Sequence, residues 1–274
     1  MKKYISQCIV GLVFLAVQAA GFADPVAPEM IFVNGGTFWM GSTEATYISS
    51  EQAYRAEVTS FYISETEITQ EVWTKVMGNN PSSFKGESRP VEMITWIDAV
   101  KFCNALSEKE GLDPVYQISG NTAKCDWTAN GYRLPTETEW EYAARGGDQK
   151  ATEQEILSRV YYSGSDKADE VAWYSGNSGK QTKPVKSKEP NELGLYDMSG
   201  NVWEWCWDWM GAYPKAETRD NRGAASGNTK VLRGGAWFTP VNLCRVTYRF
   251  WNAVTFKANS VGFRIVRNGD VSAL

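Results

Sequence analysis

The sequence predicts a single α+β domain with much irregular structure. Three observations carry that expectation. Hydrophobic residues make up 43% of the 274 residues and aromatic ones 13%, with 12 Trp and 24 Gly, so the chain can fill a large core while turning often. Helical and strand-like periodicities both occur. No internal repeat and no break marks off a second domain, and the length suits one sizeable domain.

The elements follow in order. Lys2 and Lys3 precede an apolar stretch from Ile9 to Ala20, and Gly21-Phe22-Ala23 is a small-x-small cleavage site, so residues 1–23 read as an export signal. A retained interfacial anchor is the alternative, and the stretch is too short for a comfortable membrane span. Residues 24–30 read as a linker and 31–274 as the domain. Phe32 to Gly41 reads as strand, turn, strand, and Val58 to Ile63 alternates as a further strand. Thr69 caps a short helix through Val76, closed by Gly78. Thr95 and Asp98 make a capping-box-like start to a helix that buries Val100, Phe102, Cys103 and Leu106 and ends at Gly111. Thr136 and Glu139 form a cleaner capping box, opening a helix through Trp140, Tyr142 and Ala143 to Gly146 and Gly147. From there to residue 194 the chain is rich in Gly, Asn, Ser and Lys. Two late strands are expected near 231–233 and 263–266.

Composition removes several functions. The chain has no histidine, which excludes imidazole acid–base catalysis, Ser-His-Asp triads and histidine metal sites. The net charge is -4 and no basic run occurs, so nucleic acid is not an expected partner. No transmembrane domain is expected beyond residue 30. Removal of a leader would leave Cys103, Cys125, Cys206 and Cys244. In an exported protein these four can make two bridges in three connectivities or remain free, and no spacing favours one pairing.

Three motifs carry a family resemblance: Tyr132-Arg-Leu-Pro-Thr-Glu-Thr-Glu-Trp-Glu-Tyr142, Leu195-Tyr-Asp-Met-Ser-Gly-Asn-Val-Trp-Glu-Trp205 and Arg233-Gly-Gly-Ala-Trp237. With Phe38-Trp-Met-Gly41, Glu67-Ile-Thr69, the segment from Pro90 to Leu106 and Gly262-Phe-Arg264, they fall in the order seen in the formylglycine-generating (sulfatase-modifying) family, which the chain resembles over about residues 30–267. The resemblance implies a formylglycine-generating-enzyme-like fold related to C-type lectins. Oxidases of that family are expected to hold copper(I) between two cysteines after the Arg-Gly-Gly-Ser-Trp motif. Here those positions are Thr239 and Cys244, and Ala236 replaces the serine. Half of a soft-ligand site is missing, so copper and catalysis are not expected. The resemblance also implies a structural calcium site, with side chains of Asp197 and Glu204 and carbonyls of Gly200 and Val202. The alternative is that backbone amides and an arginine satisfy both carboxylates.

Residues 237–264 contain no Asp, Glu, Gln or Met and one Lys, where composition alone would place roughly three acids. Frame-like residues (Trp237, Cys244, Arg245, Val246, Arg249, Gly262, Phe263, Arg264) alternate with assorted ones. The pattern is similar to the variable region of proteins targeted by diversity-generating retroelements, and is close to that of spirochaete variable proteins on this scaffold. The resemblance implies adenine-directed mutagenesis of Asn-type codons, which gives a residue set without Glu, Gln, Lys, Met or Trp, and Trp251 and Lys257 depart from it. An apolar C-terminal core is the alternative, because so many aromatic residues cannot all be exposed on a stable monomer.

The expectation is therefore an exported, non-catalytic ligand-binding protein with 233–264 as its variable segment. Phe238, Thr239, Pro240, Asn242, Leu243, Tyr248, Phe250, Trp251 and Asn252 are the candidate contacts. Trp237, Cys244, Val246 and Phe263 are the expected buried supports. The partner would be a protein or glycan on another cell or surface. The protein itself would sit at the cell surface or outside it, or else in a periplasm. A divergent oxidative modifying enzyme and a structural subunit are the other readings.

Overall fold

The computed structural model describes residues 26–42, 51–147 and 162–269. The expected export signal at 1–23, with Cys8, lies outside the described residues. Of the expected linker, Val26 and Ala27 donate their N–H groups to Glu110 Oε1, and Met30 already opens a strand.

Phe32 to Gly41 does yield two strands, β1 (Met30–Val33) and β2 (Gly36–Met40), but they do not pair with each other. The expected strand over 58–63 is split for the same reason. β3 (Tyr54–Val58) pairs with β2, and β4 (Phe61–Ser64) pairs with β1. Thr59 leaves the ladder between them and donates its N–H to Asp220 Oδ1 at 2.8 Å. The β1–β2 and β3–β4 connections thus each carry the chain between sheets, a pattern that alternation of side chains alone does not encode.

The helices form where the caps place them. α1 (Gln70–Met77) starts at Thr69, whose hydroxyl accepts from Val72 N–H, and stops at left-handed Gly78. α2 (Trp96–Lys109) and α3 (Glu137–Ala144) both open on complete capping boxes, at Thr95/Asp98 and Thr136/Glu139. A hairpin of β5 (Tyr116–Ser119) and β6 (Thr122–Cys125) follows α2, and a single turn, α4 (Ala168–Val171), follows α3. β7 (Trp203–Trp209) is the central strand. β9 (Lys230–Arg233) lies antiparallel on one side and β11 (Val261–Gly262) parallel on the other, with β10 (Phe250–Asn252) outside β9. Short β8 (Thr218–Arg219) joins β3, and β12 (Val266–Asn268) joins β4. The expected strand at 263–266 is displaced: residues 263–265 bridge β11 and β12, with Phe263, Arg264 and Ile265 buried.

β7 divides the apolar interior. Trp203 and Trp205 pack with α2, Phe263 and Ile265, whereas Cys206 joins Trp140, Tyr142 and strands β2 to β4. Every residue of α3 is buried, including Glu137, Glu139 and Glu141. Each carboxylate meets an arginine: Glu137 with Arg249, Glu139 with Arg133, and Glu141 with Arg145 and Arg233. Such pairs are tolerated in a core because neither charge is left alone there. All four described cysteines are free thiols. Burial pushes Cys125 up to about 12 and also raises Cys103 and Cys206, so they stay neutral. No helix among the described residues is long and apolar enough to cross a membrane.

Candidate functional site

The loop after β9 is set by a glycine that nothing else could replace. Gly235 has φ +84°, and a Cβ there would lie 2.6 Å from Cys244 Sγ. That close approach presses the 236–239 turn onto the thiol. Thr239 Oγ1 accepts from Ala236 N–H at 3.1 Å, donates to the Ala236 carbonyl at 2.8 Å, and lies 3.4 Å from Cys244 Sγ. Thr239 is only 3% exposed, which corrects its expected place on the surface. Its hydroxyl is committed to its own turn, so it supports the loop from inside. Burial pushes the Cys244 thiol up to about 11, with the Thr239 hydrogen bond acting in the opposite direction. A single protonated thiol beside a hydroxyl does not fit copper(I), which takes thiolates.

The other candidate contacts are reachable. Phe238 is 51% exposed and Trp251 40%, and these two are the exposed large apolar side chains among the described residues. Pro240 and Asn242 are exposed at the 3-10 turn Val241–Leu243. Leu243, Tyr248, Phe250 and Asn252 are half-buried, and the first three lean on the core. The core alternative therefore holds in part, because these side chains present one edge outward and one inward. Of the supports, Cys244, Val246 and Phe263 are buried. Trp237 is a correction: it is half-buried, edge-on to Phe84 at 5.4 Å and to Phe238 at 5.5 Å.

Two aromatic clusters result. One is Phe84, Trp237 and Phe238. The other joins Trp203 to Tyr248 at 5.9 Å and to Phe250 at 5.1 Å, with Trp251 next to Phe250 at 6.2 Å. They meet at consecutive residues: Trp237 Nε1 donates to the Asn259 carbonyl, and Trp203 N–H donates to that of Ser260. Frame arginines anchor the segment below. Arg245 pairs with Glu51, and Arg249 pairs with Glu137 while lying 4.0 Å over the Tyr213 ring. The sequence reading missed half-buried Phe84 and buried Trp203 as supports beneath this surface. Phe84 sits in an aperiodic loop, and Trp203 lay inside a motif read for its carboxylates.

The second candidate site centres on Asp197, a non-glycine residue at φ 59°. Asp197 Oδ2 accepts from Lys186 N–H at 3.0 Å, whereas buried Oδ1 has no partner. Gly200, at φ +86°, lies so close to Trp173 that a Cβ would be 2.3 Å from its carbonyl oxygen. Glu204 is engaged on both oxygens, by Arg264 at 2.7 and 2.9 Å and by the Trp140 indole at 2.7 Å. A third carboxyl, Glu67, accepts from Asn201 Nδ2 and from Val202 N–H. Burial pushes Asp197 up to about 6. Burial, then the Asp197 and Glu204 charges, raises Glu67 well above the carboxylate range. Three buried carboxyls thus face one guanidinium, that of Arg264. The orphaned Asp197 oxygen, beside carboxyls whose charged forms have only Arg264 to answer them, fits a hard cation. Among the described residues no group of three or more acidic or thiol side chains is placed to hold a metal, so an ion here would rely on Asp197 and on backbone carbonyls.

Comparison with known proteins agrees with this geometry. The model of the sulfatase-modifying factor enzyme 1-like domain matches residues 18–269. The chain is 39% identical to the chaperone protein LppX of Paenibacillus barcinonensis, over 94% of this chain and 98% of that protein. It is 36% identical to the formylglycine-generating enzyme of Streptomyces coelicolor, over 58% of this chain and 54% of that enzyme. Among solved structures, Treponema denticola variable protein 1 superposes with a TM-score of 0.80 at 34% identity, covering 88% of this chain and 95% of that one. The family match over residues 18–269, together with the superposition on that solved structure, places this chain in the family of sulfatase-modifying factor enzyme 1-like domains.

Proposed function

We propose that this protein is a non-catalytic binding protein that presents residues 233–264 to a polypeptide partner. The observation that carries the reading is the closed thiol pocket, where the Thr239 hydroxyl fills the place of a second sulfur and Cys244 is buried and protonated. Beside it, Phe238 and Trp251 stand exposed on a frame of buried pairs, the layout of contact residues on a rigid support. A relative named a chaperone that matches from end to end favours a polypeptide over a glycan. The likeness to a variable protein supports diversification of this segment, and a downstream genomic template repeat with adenine-rich codons at the assorted positions would test it.

Catalysis is the reading to exclude. Purified protein given copper, oxygen and a sulfatase-type cysteine peptide should yield no formylglycine, as read by mass spectrometry. Turnover would sink the proposal. Thr239→Cys with Ala236→Ser should bring copper(I) binding into measurable range, because a second sulfur would then face Cys244 across the gap now spanned at 3.4 Å.

A calcium ion held by Asp197, with the Gly200 and Val202 carbonyls and whatever lone pair Glu204 retains, is also proposed. Its role would be to neutralise a buried acidic cluster. Chelation should lower the melting temperature, because a ligand of the native state is lost, and Asp197→Asn should abolish that response. A melting temperature indifferent to both chelator and added calcium would leave the carboxyls to Arg264 and the amides.

A further inference from the structure

The fold sets two acid-free stretches of this chain side by side. Residues 237–264 are one. Residues 171–188 are the other, with Lys180, Lys183, Lys186 and Lys188, in a chain of 32 acids and net charge -4. Ser175 N–H donates to the Thr239 carbonyl at 3.0 Å and Ser178 Oγ donates to that of Trp237 at 2.7 Å. Lys180 N–H in turn donates to Ser178 Oγ at 3.2 Å. On the other side Asn201 makes the join. Its carbonyl accepts from Trp237 N–H and its Oδ1 accepts from Lys183 N–H, both at 2.8 Å. Lys180 and Lys183 are therefore each one hydrogen-bonded residue away from Trp237, whose ring abuts exposed Phe238.

Several of the cations here are already engaged. Lys186 pairs with Glu65, and Lys188 donates to the Asp169 carbonyl. Arg245, Arg249 and Arg264 are committed to Glu51, Glu137 and Glu204. Lys180 and Lys257 are exposed, and Lys183 is half-buried with its Nζ 5.3 Å from the Trp173 ring centre. None of these three takes part in the ion pairs of the described residues. At the α4 edge, Asp169 is bonded by Tyr174 and Asn177, and Glu170 by Lys167.

We infer that this face takes an acidic polypeptide segment that carries apolar side chains. Its carboxylates would lie against Lys180 and Lys183, and its apolar groups against Phe238 and Trp251. The inference rests on the binding reading above and deepens it. A patch of uncompensated lysines on a net-negative molecule draws in acidic partners and repels basic ones. An exposed aromatic with charged side chains to one side fits the usual division of labour at an interface, with apolar anchors and charged steering groups.

The test uses the whole domain and three synthetic peptides of equal length. They share a core containing two tryptophans and are flanked by Glu, by Gln or by Lys; a heparin oligosaccharide is the fourth probe. Fluorescence anisotropy at low and high salt should show the Glu peptide binding about tenfold tighter than the Gln peptide, an advantage that shrinks as salt rises. Lys180→Glu with Lys183→Glu should erase that advantage at an unchanged melting temperature. Equal binding of the Glu and Gln peptides, or no effect of the lysine changes, overturns the acidic partner and leaves the aromatic face standing. Peptide binding that ignores Phe238→Ala and Trp251→Ala removes the face itself. Heparin binding more tightly than the Glu peptide overturns the inference in favour of a polyanionic glycan, and no binding by any peptide overturns it outright.

Discussion

Arg264→Met should be among the most damaging single changes in this protein. The guanidinium is fully buried, holds both oxygens of Glu204, and donates to the Ser64 and Tyr196 carbonyls. Its loss strands Glu204 beside Asp197 and Glu67 without its guanidinium partner. Removing one partner of a buried pair costs about 3–5 kcal/mol, more than most domains can spare without a large drop in stability. In a domain of this size that corresponds to a fall in melting temperature of roughly 10 °C. Glu204→Gln in the same chain should recover part of the loss by removing the stranded charge, though the two orphaned carbonyls remain. Circular dichroism melts of the single and double variants check both statements. A single variant that melts within 2 °C of the parent would show that the cluster does not depend on this arginine.

The second large effect is on binding rather than folding. Peptides selected from a displayed random library on the parent protein should lose affinity about 30-fold or more on either Phe238→Ala or Trp251→Ala, the range of an aromatic hot spot of about 2 kcal/mol or above. Both side chains are exposed, so stability should move by no more than about 0.5 kcal/mol. Selected peptides that bind the double variant as well as the parent would place the contact surface elsewhere.

Much of the fold was legible because caps and turns are local chemistry. Thr69, Thr95 and Thr136 announce their helices, and Gly78 closes α1. The pairing of strands was not legible. β1 and β2 are neighbours in sequence and belong to different sheets, a choice made by distant partners β4 and β3. β7 escaped notice because its run from Trp203 to Trp209 is buried on both faces over most of its length and does not alternate. The candidate site divides along the same line. Phe238 and Trp251 could be picked out from composition. Thr239 could not be placed, because whether its hydroxyl turns inward depends on how closely Gly235 lets the loop approach Cys244. The lysines of 171–188 gain meaning only once Asn201 and Ser178 tie them to Trp237.

The sheet that joins β1, β4 and β12 also governs how the chain can fold. Arg264 reaches the Ser64 carbonyl across 200 residues, and β12 completes a sheet begun by the first described strands. Contacts of that span carry loop-closure entropy before they return any stabilisation, so folding should be slow, in the millisecond-to-second range typical of non-local topologies. The first strands must wait, with one edge unpaired, for the last. A chain cut short before residue 266 would keep its helices and the β1–β4 pair but lose β12, leaving β4 as an open edge ready to pair with another molecule.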